Sequence, residues 1–195
     1  MREIIFLTIF FFILSLFSIY LGYLTRDAIS KGEIEPIFPN PSDYKNSIYM
    51  FSLIIVGTLI ALLFVKVKLE LLKLLENTAL LLLITTTFSY FFPLFPSFLL
   101  SLSLVLFSEL KPSFLIKNIC IFLSVSSASA IIGASLDYKV VLLFFFILTI
   151  YDIVSVFITR HMVYIAEKLV SRPTALISVF PSSKTRRITF IKGRK

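Results

Sequence analysis

Long apolar blocks separated by short charged ones run through the chain. Residues 4–24, 48–65, 78–92, 95–109, 119–136 and 140–159 are each almost free of charge. A helix needs about 20 apolar residues, rising 1.5 Å each, to cross a ~30 Å hydrocarbon core, and fewer where it is short or the bilayer thins. The pattern predicts six spans. The third and fourth come from one uncharged stretch between Asn77 and Ser108. A single helix of that length reaches ~48 Å, too long for one span. Pro93 and Pro96 interrupt it, and proline removes an amide donor while disfavouring helix in the residue before it. Two short spans joined by a tight turn are expected, with one span plus a re-entrant stretch as the alternative. The first block is longer than the apolar region of a signal peptide, and no Ala-x-Ala-like site follows before Arg26, so it reads as a retained span.

Composition agrees. The 195 residues are 58% hydrophobic with 22 phenylalanines and a mean hydropathy of +0.98. That is more apolar surface than one soluble domain of this size can hide. The net charge of +8 then becomes a topology signal. With the amino terminus in the cytoplasm and six spans, fifteen of the nineteen Lys and Arg fall inside. Only Arg26, Lys31, Lys45 and Lys139 fall outside, so the positive-inside rule places both termini in the cytoplasm of a cell-membrane protein. Basic inner loops suit an anionic leaflet. No folded basic surface or stacking platform points to nucleic acid. The single cysteine, Cys120, and the single histidine, His161, form no disulfide or metal motif, so no cofactor and no metal are expected.

Between the spans, residues 25–47 form a polar, Pro-containing outer loop suited to capping the external face. Lys66, Glu70 and Lys73 share one face of what reads as a cytoplasmic extension of the second span. The fifth span is rich in small residues, among them Ser126, Ser127, Ala130 and Gly133, which let helices approach closely in lipid and place it centrally. Residues 160–181 begin with an amphipathic pattern, Met162, Ile165, Ala166 and Leu169 on one side and Arg160, Tyr164, Glu167 and Lys168 on the other. This suits a helix lying on the inner membrane surface. It ends at Arg172-Pro173, and an apolar segment too short to span follows. In the basic tail, residues 182–195, the β-prone run Ile188-Thr189-Phe190-Ile191 suits addition to a sheet edge. The expected fold is therefore an all-α, six-helix transmembrane bundle over residues 1–159, followed by a cytoplasmic-face amphipathic helix and loop and a basic tail.

Asp152 carries the chemistry. It lies seven residues from the end of the sixth span, about 10 Å inside the membrane, and a carboxylate at membrane depth costs at least ~2.5–3.5 kcal/mol. Thr149, Asp152, Ser155, Val156 and Thr159 lie on or near one helical face, expected to line the bundle interior or a water-filled cavity. From the residues alone, helix packing, proton or ion transport and proteolysis remain open. Glu109 sits beside Lys111 at a span end, where interfacial placement accounts for it.

The segment Tyr151-Asp152-Ile-Val-Ser155-Val156, then Arg160-His161-Met162, Ala166-Glu167 and Val179-Phe180-Pro181, resembles the sixth span and following helix of the presenilin and signal-peptide-peptidase family. The likeness is to archaeal presenilin-like intramembrane aspartyl proteases, and it is specific over residues 148–181. The first five spans add only count and orientation. The resemblance implies two aspartates on neighbouring spans sharing a proton, one acting as base toward water and the other as acid toward the scissile carbonyl. Asp152 stands for the first, with Tyr151 and Ser155 supporting the site. Met162, Ile165 and Leu169 of the amphipathic helix gate substrate, and Ile188 and Phe190 pair with an unwound membrane-embedded peptide.

The family's second aspartate belongs to a Gly-x-Gly-Asp motif and is followed by a Pro-Ala-Leu motif. Neither motif occurs here, and Pro173-Thr-Ala-Leu176 is no substitute. The chain corresponds to the amino-terminal half of such a protease. A second polypeptide supplying the rest, a truncation, or a non-catalytic relative each account for this. The competing class is a membrane scaffold or transporter subunit with Asp152 as a proton-binding or helix-packing residue.

Overall fold

In the computed structural model, residues 2–67, 69–110 and 113–170 are described. They form seven α-helices and one π-helical turn. The helices are α1 (Arg2–Ser30), α2 (Lys45–Val67), α3 (Leu69–Ser89), α4 (Leu94–Leu110), α5 (Phe114–Ser135), α6 (Tyr138–Ile153) and α7 (His161–Val170), with the π turn at Val154–Ile158. Five stretches are long and apolar enough to cross a membrane, residues 5–30, 45–65, 70–89, 115–135 and 138–158. The fourth apolar helix, Leu94–Leu110, is shorter. The described residues are all-α, and the protein is a multi-pass membrane protein.

Local chemistry ends each helix. Past α1, Glu33 N–H donates to the Ala28 carbonyl (3.0 Å) and Gly32 N–H to that of Ile29 (3.1 Å). This closure needs a left-handed residue, supplied by Gly32 at φ 71°. After α3, the Phe91 and Phe92 amides both return to the Phe88 carbonyl at 2.9 Å. Pro93 cannot continue the helix, whereas Pro96 sits in the first turn of α4, where its missing donor is harmless. Of the face read across the end of the second span, Lys66 lies on α2 and Glu70 and Lys73 lie on α3, with Lys68 between them outside the described residues.

The helices pack in an open series. α1 lies on α5, α5 on α3 and α4, α3 also on α4 and α2, and α2 on α6 and α7. α5 is the most buried of the five spans. Its small residues bring it close to its neighbours: a Cβ built on Gly22 of α1 meets the Ala130 Cα at 3.8 Å. Phe122 stacks on Phe17 with centroids 5.2 Å apart. Water exclusion drives no helix association in lipid, so packing and interhelical hydrogen bonds do the work. Thr85, Thr86 and Thr87 on α3 each reach a neighbouring helix. Thr85 bonds Ser101 Oγ (2.5 Å), Thr86 bonds Ser127 Oγ, and the Thr87 hydroxyl donates to the Leu123 carbonyl (3.1 Å). Near the far ends of α3 and α4, Lys73 pairs with Glu109. Glu76, Lys117 and Asn118 are buried.

The 31–44 connection tucks Phe38 against Leu136 and Val140. Nearby, buried Ser47 donates its hydroxyl proton to the Val140 carbonyl at 2.8 Å, tying α2 to α6. Ser47→Ala is expected to lower stability by about 0.6 kcal/mol, the average for such bonds in lipid, and a detergent-titrated unfolding curve reads it. An unshifted midpoint counts against this tie.

Candidate active site

α6 carries the acid. Asp137 caps its start, its carboxylate accepting from the Tyr138 amide at 2.7 Å. The helix runs without a break to Ile153. There the hydrogen-bond pattern widens by one residue, and the Thr159 amide reaches the Val154 carbonyl at 2.9 Å. Such π turns are rare and concentrate at functional sites. Arg160 follows at φ 54°, a left-handed conformation unfavourable for a side-chain-bearing residue. That turn starts α7 at His161.

The predicted polar strip divides. Thr149, Asp152, Val156 and Thr159 are exposed, while Ser155 turns fully inward and donates its hydroxyl to the Asp152 carbonyl at 3.0 Å. Asp152 therefore does not line the interior of the bundle these helices make. α6 packs on α2, and its opposite side carries exposed Leu142, Phe146, Ile150 and Ile153. No hydrogen bond or ion pair holds the Asp152 carboxylate among the described residues. The sequence pattern identified the strip but could not say which side the neighbouring helices would cover.

Tyr151 is half-buried, unlike the acid it precedes. Its ring stands edge-on to Phe51 of α2 at 5.6 Å, and its hydroxyl donates to Thr58 Oγ1 at 3.2 Å. The same hydroxyl lies 3.1 Å from His161 Nε2. Sequence reasoning passed over both Thr58 and His161. The latter registered as a lone histidine and as part of the Arg160-His161-Met162 stretch of the resemblance, without a role, and no short-range signal links it to a tyrosine ten residues earlier. On α7, Ile165 is buried and Met162 half-buried. The side chain of Leu169 lies outside the described residues, as do Ile188 and Phe190 and the whole 171–195 segment.

Toward the other end of α6, the ends of α1 and α5 and the start of α6 enclose an open cleft of about 1100 Å3. Arg26, Pro41, Gly133, Asp137, Tyr138 and Phe145 are among its lining residues.

Comparison with known proteins adds the family. No curated relative and no solved structure matches the chain. The model of the family described as signal-peptide peptidase, presenilin aspartyl protease matches residues 7–192. That span reaches from the first helix past α7 and is far more than the 148–181 segment whose residues carry the motif-level likeness. With Tyr151-Asp152 placed on the last long apolar helix and the match covering nearly the whole chain, the protein belongs to the signal-peptide peptidase and presenilin family of aspartyl proteases.

Proposed function

We propose that the chain is the Asp152-bearing half of a presenilin-like intramembrane aspartyl protease, most like the archaeal members, completed by a second polypeptide with the Gly-x-Gly-Asp and Pro-Ala-Leu motifs. In this reading α4 counts as a sixth span, both termini face the cytoplasm, and the protein resides in the cell membrane. The observation that carries the reading is a carboxylate at membrane depth on a helix side left open by every other described helix. An unpaired charge facing lipid costs at least ~2.5–3.5 kcal/mol, so that side calls for a polar partner. An aspartate from the second half meets the need and forms a dyad, in which two close carboxylates share one proton because both cannot readily ionise.

The chemistry follows from the shared proton. The ionised member takes a proton from water as the oxygen attacks the scissile carbonyl, and the protonated member gives its proton to the carbonyl oxygen. The leaving amine is then protonated as the tetrahedral intermediate collapses. One carboxylate alone cannot hold both roles at once, so the isolated chain should not cleave peptides. Tyr151, fixed between α2 and α7, orients the site, and inward Ser155 braces the backbone at Asp152. Met162, Ile165 and Leu169 gate a membrane-embedded peptide, and Ile188 and Phe190 pair with it once it unwinds.

Co-expression with a polypeptide carrying the two missing motifs tests this directly. The reconstituted pair should cleave a transmembrane reporter while neither half does so alone. Equal activity of this chain alone, or none from the pair, would sink the proposal. The alternative, a scaffold or transporter subunit using Asp152 for packing or proton binding, finds less support, because the exposed carboxylate has no hydrogen-bond or ion-pair partner among the described residues.

A further inference from the structure

We infer that His161 is a positioning residue for Asp152, its imidazole closing a one-way hydrogen-bond chain that locks the π turn and α7 onto α2. The inference rests on the catalytic reading of Asp152, but the lock itself stands on geometry. Four side chains, from α2, α6, α7 and the link that follows the π turn, meet in series. Thr58 Oγ1 lies 2.8 Å from the Ile54 carbonyl, and Tyr151 Oη lies 3.2 Å from Thr58 Oγ1. His161 Nε2 is 3.1 Å from Tyr151 Oη, and Thr159 Oγ1 is 2.5 Å from His161 Nδ1.

Donor bookkeeping gives the chain its direction. A carbonyl can only accept, so the Thr58 proton goes to Ile54 and the Thr58 oxygen is left to accept from Tyr151. Tyrosine has one hydroxyl proton, now spent, so its oxygen accepts from His161 Nε2–H. A neutral imidazole protonated at Nε2 presents a bare Nδ1, which at 2.5 Å is a closer acceptor for the Thr159 proton than the Val154 and Ser155 carbonyls at 3.3 and 3.4 Å. Every donor is used once in a single direction, and only a group that both donates and accepts can sit between a tyrosine and a threonine in this way.

The placement gives the chain mechanical leverage. It spans the π turn, entering at Tyr151 just before it and leaving at Thr159 just after. The left-handed Arg160 reverses the path enough to bring His161 back to Tyr151. A π turn holds one residue more than an α turn, so its reversion to α geometry would rotate the flanking segments relative to each other by about 100°. The clasp opposes that rotation. Asp152 lies between its two anchors, and its carbonyl is further held by Ser155. A carboxylate that must meet a second one closely needs such support from residues behind it.

Two readouts test the inference on the full chain. In lipid nanodiscs, 15N-labelled histidine reports the lone imidazole. At neutral pH a single species with Nδ1 unprotonated is expected, and Tyr151→Phe should shift the Nε2 signal and mix the tautomers. An imidazole spectrum indifferent to Tyr151→Phe overturns the clasp whatever the protease does. In the reconstituted pair, His161→Phe is expected to lower kcat about tenfold with KM within about twofold, as for a modest misplacement of a reacting group. His161→Gln, which keeps a donor toward Tyr151, should recover most of the loss. Equal loss in both variants, or none in either, overturns the positioning role. A wild-type pair that cleaves nothing defeats the protease reading and the catalytic part of this inference together, while the spectrum still decides the clasp.

Discussion

Asp152→Asn is expected to reduce cleavage by the reconstituted protease by about 10²–10⁴-fold, the range for losing a positioned acid or base. Asparagine matches aspartate in shape but cannot take up or release the proton that the proposed dyad would pass between water and carbonyl. The structure adds a contrast that a packing role would not show. The carboxylate is exposed and has no hydrogen-bond or ion-pair partner among the described residues, so neither Asp152→Asn nor Asp152→Ala should weaken the free chain. Removing a charge from lipid should, if anything, favour insertion. Lost cleavage with intact folding and intact association with the second half is the expected combination. Lost folding in Asp152→Ala would instead favour helix packing as the role of this residue.

The second large effect belongs to the α1–α5 contact. The 3.8 Å approach of a Gly22 Cβ to the Ala130 backbone is ordinary contact distance, so Gly22→Ala should be tolerated. Gly22→Leu places a branched side chain against a backbone that cannot yield, and over-packing of this kind destabilises by about 1–3 kcal/mol. α1 has no other extensive helix contact, so the loss should appear as detachment of α1 rather than general unfolding. Protease nicking of the 31–44 connection should rise in Gly22→Leu and stay at the wild-type level in Gly22→Ala. Equal resistance in both variants would contradict the close approach.

Much of this was legible from the sequence for identifiable physical reasons. Apolar blocks of membrane-crossing length, a double-proline break and a Tyr-Asp pair are local signals, and the family match agrees with the family that the sequence resembles. The orientation of Asp152 was not legible, since a polar strip fixes a face and not what covers it. The π turn at Val154–Ile158 has no residue signature of its own. Ser155 alone of the strip faces inward as expected, while Asp152 is exposed. His161 acquires a role only when the left-handed turn at Arg160 folds it back onto Tyr151, a contact invisible to spacing rules for a single helix.

The central claim is that the open side of α6 at Asp152 faces a second aspartate. A disulfide forms only when two Cα atoms come within about 7 Å. The direct measurement is therefore cross-linking of Asp152→Cys with a cysteine at the Gly-x-Gly-Asp aspartate of the second polypeptide, in a Cys120→Ser background. Phe157→Cys, exposed beyond the site, serves as the control. Rapid, near-complete cross-linking at 152 with little at 157 is the predicted result. Cross-linking at 152 no faster than at 157 would mean that Asp152 does not share a dyad, contradicting the account.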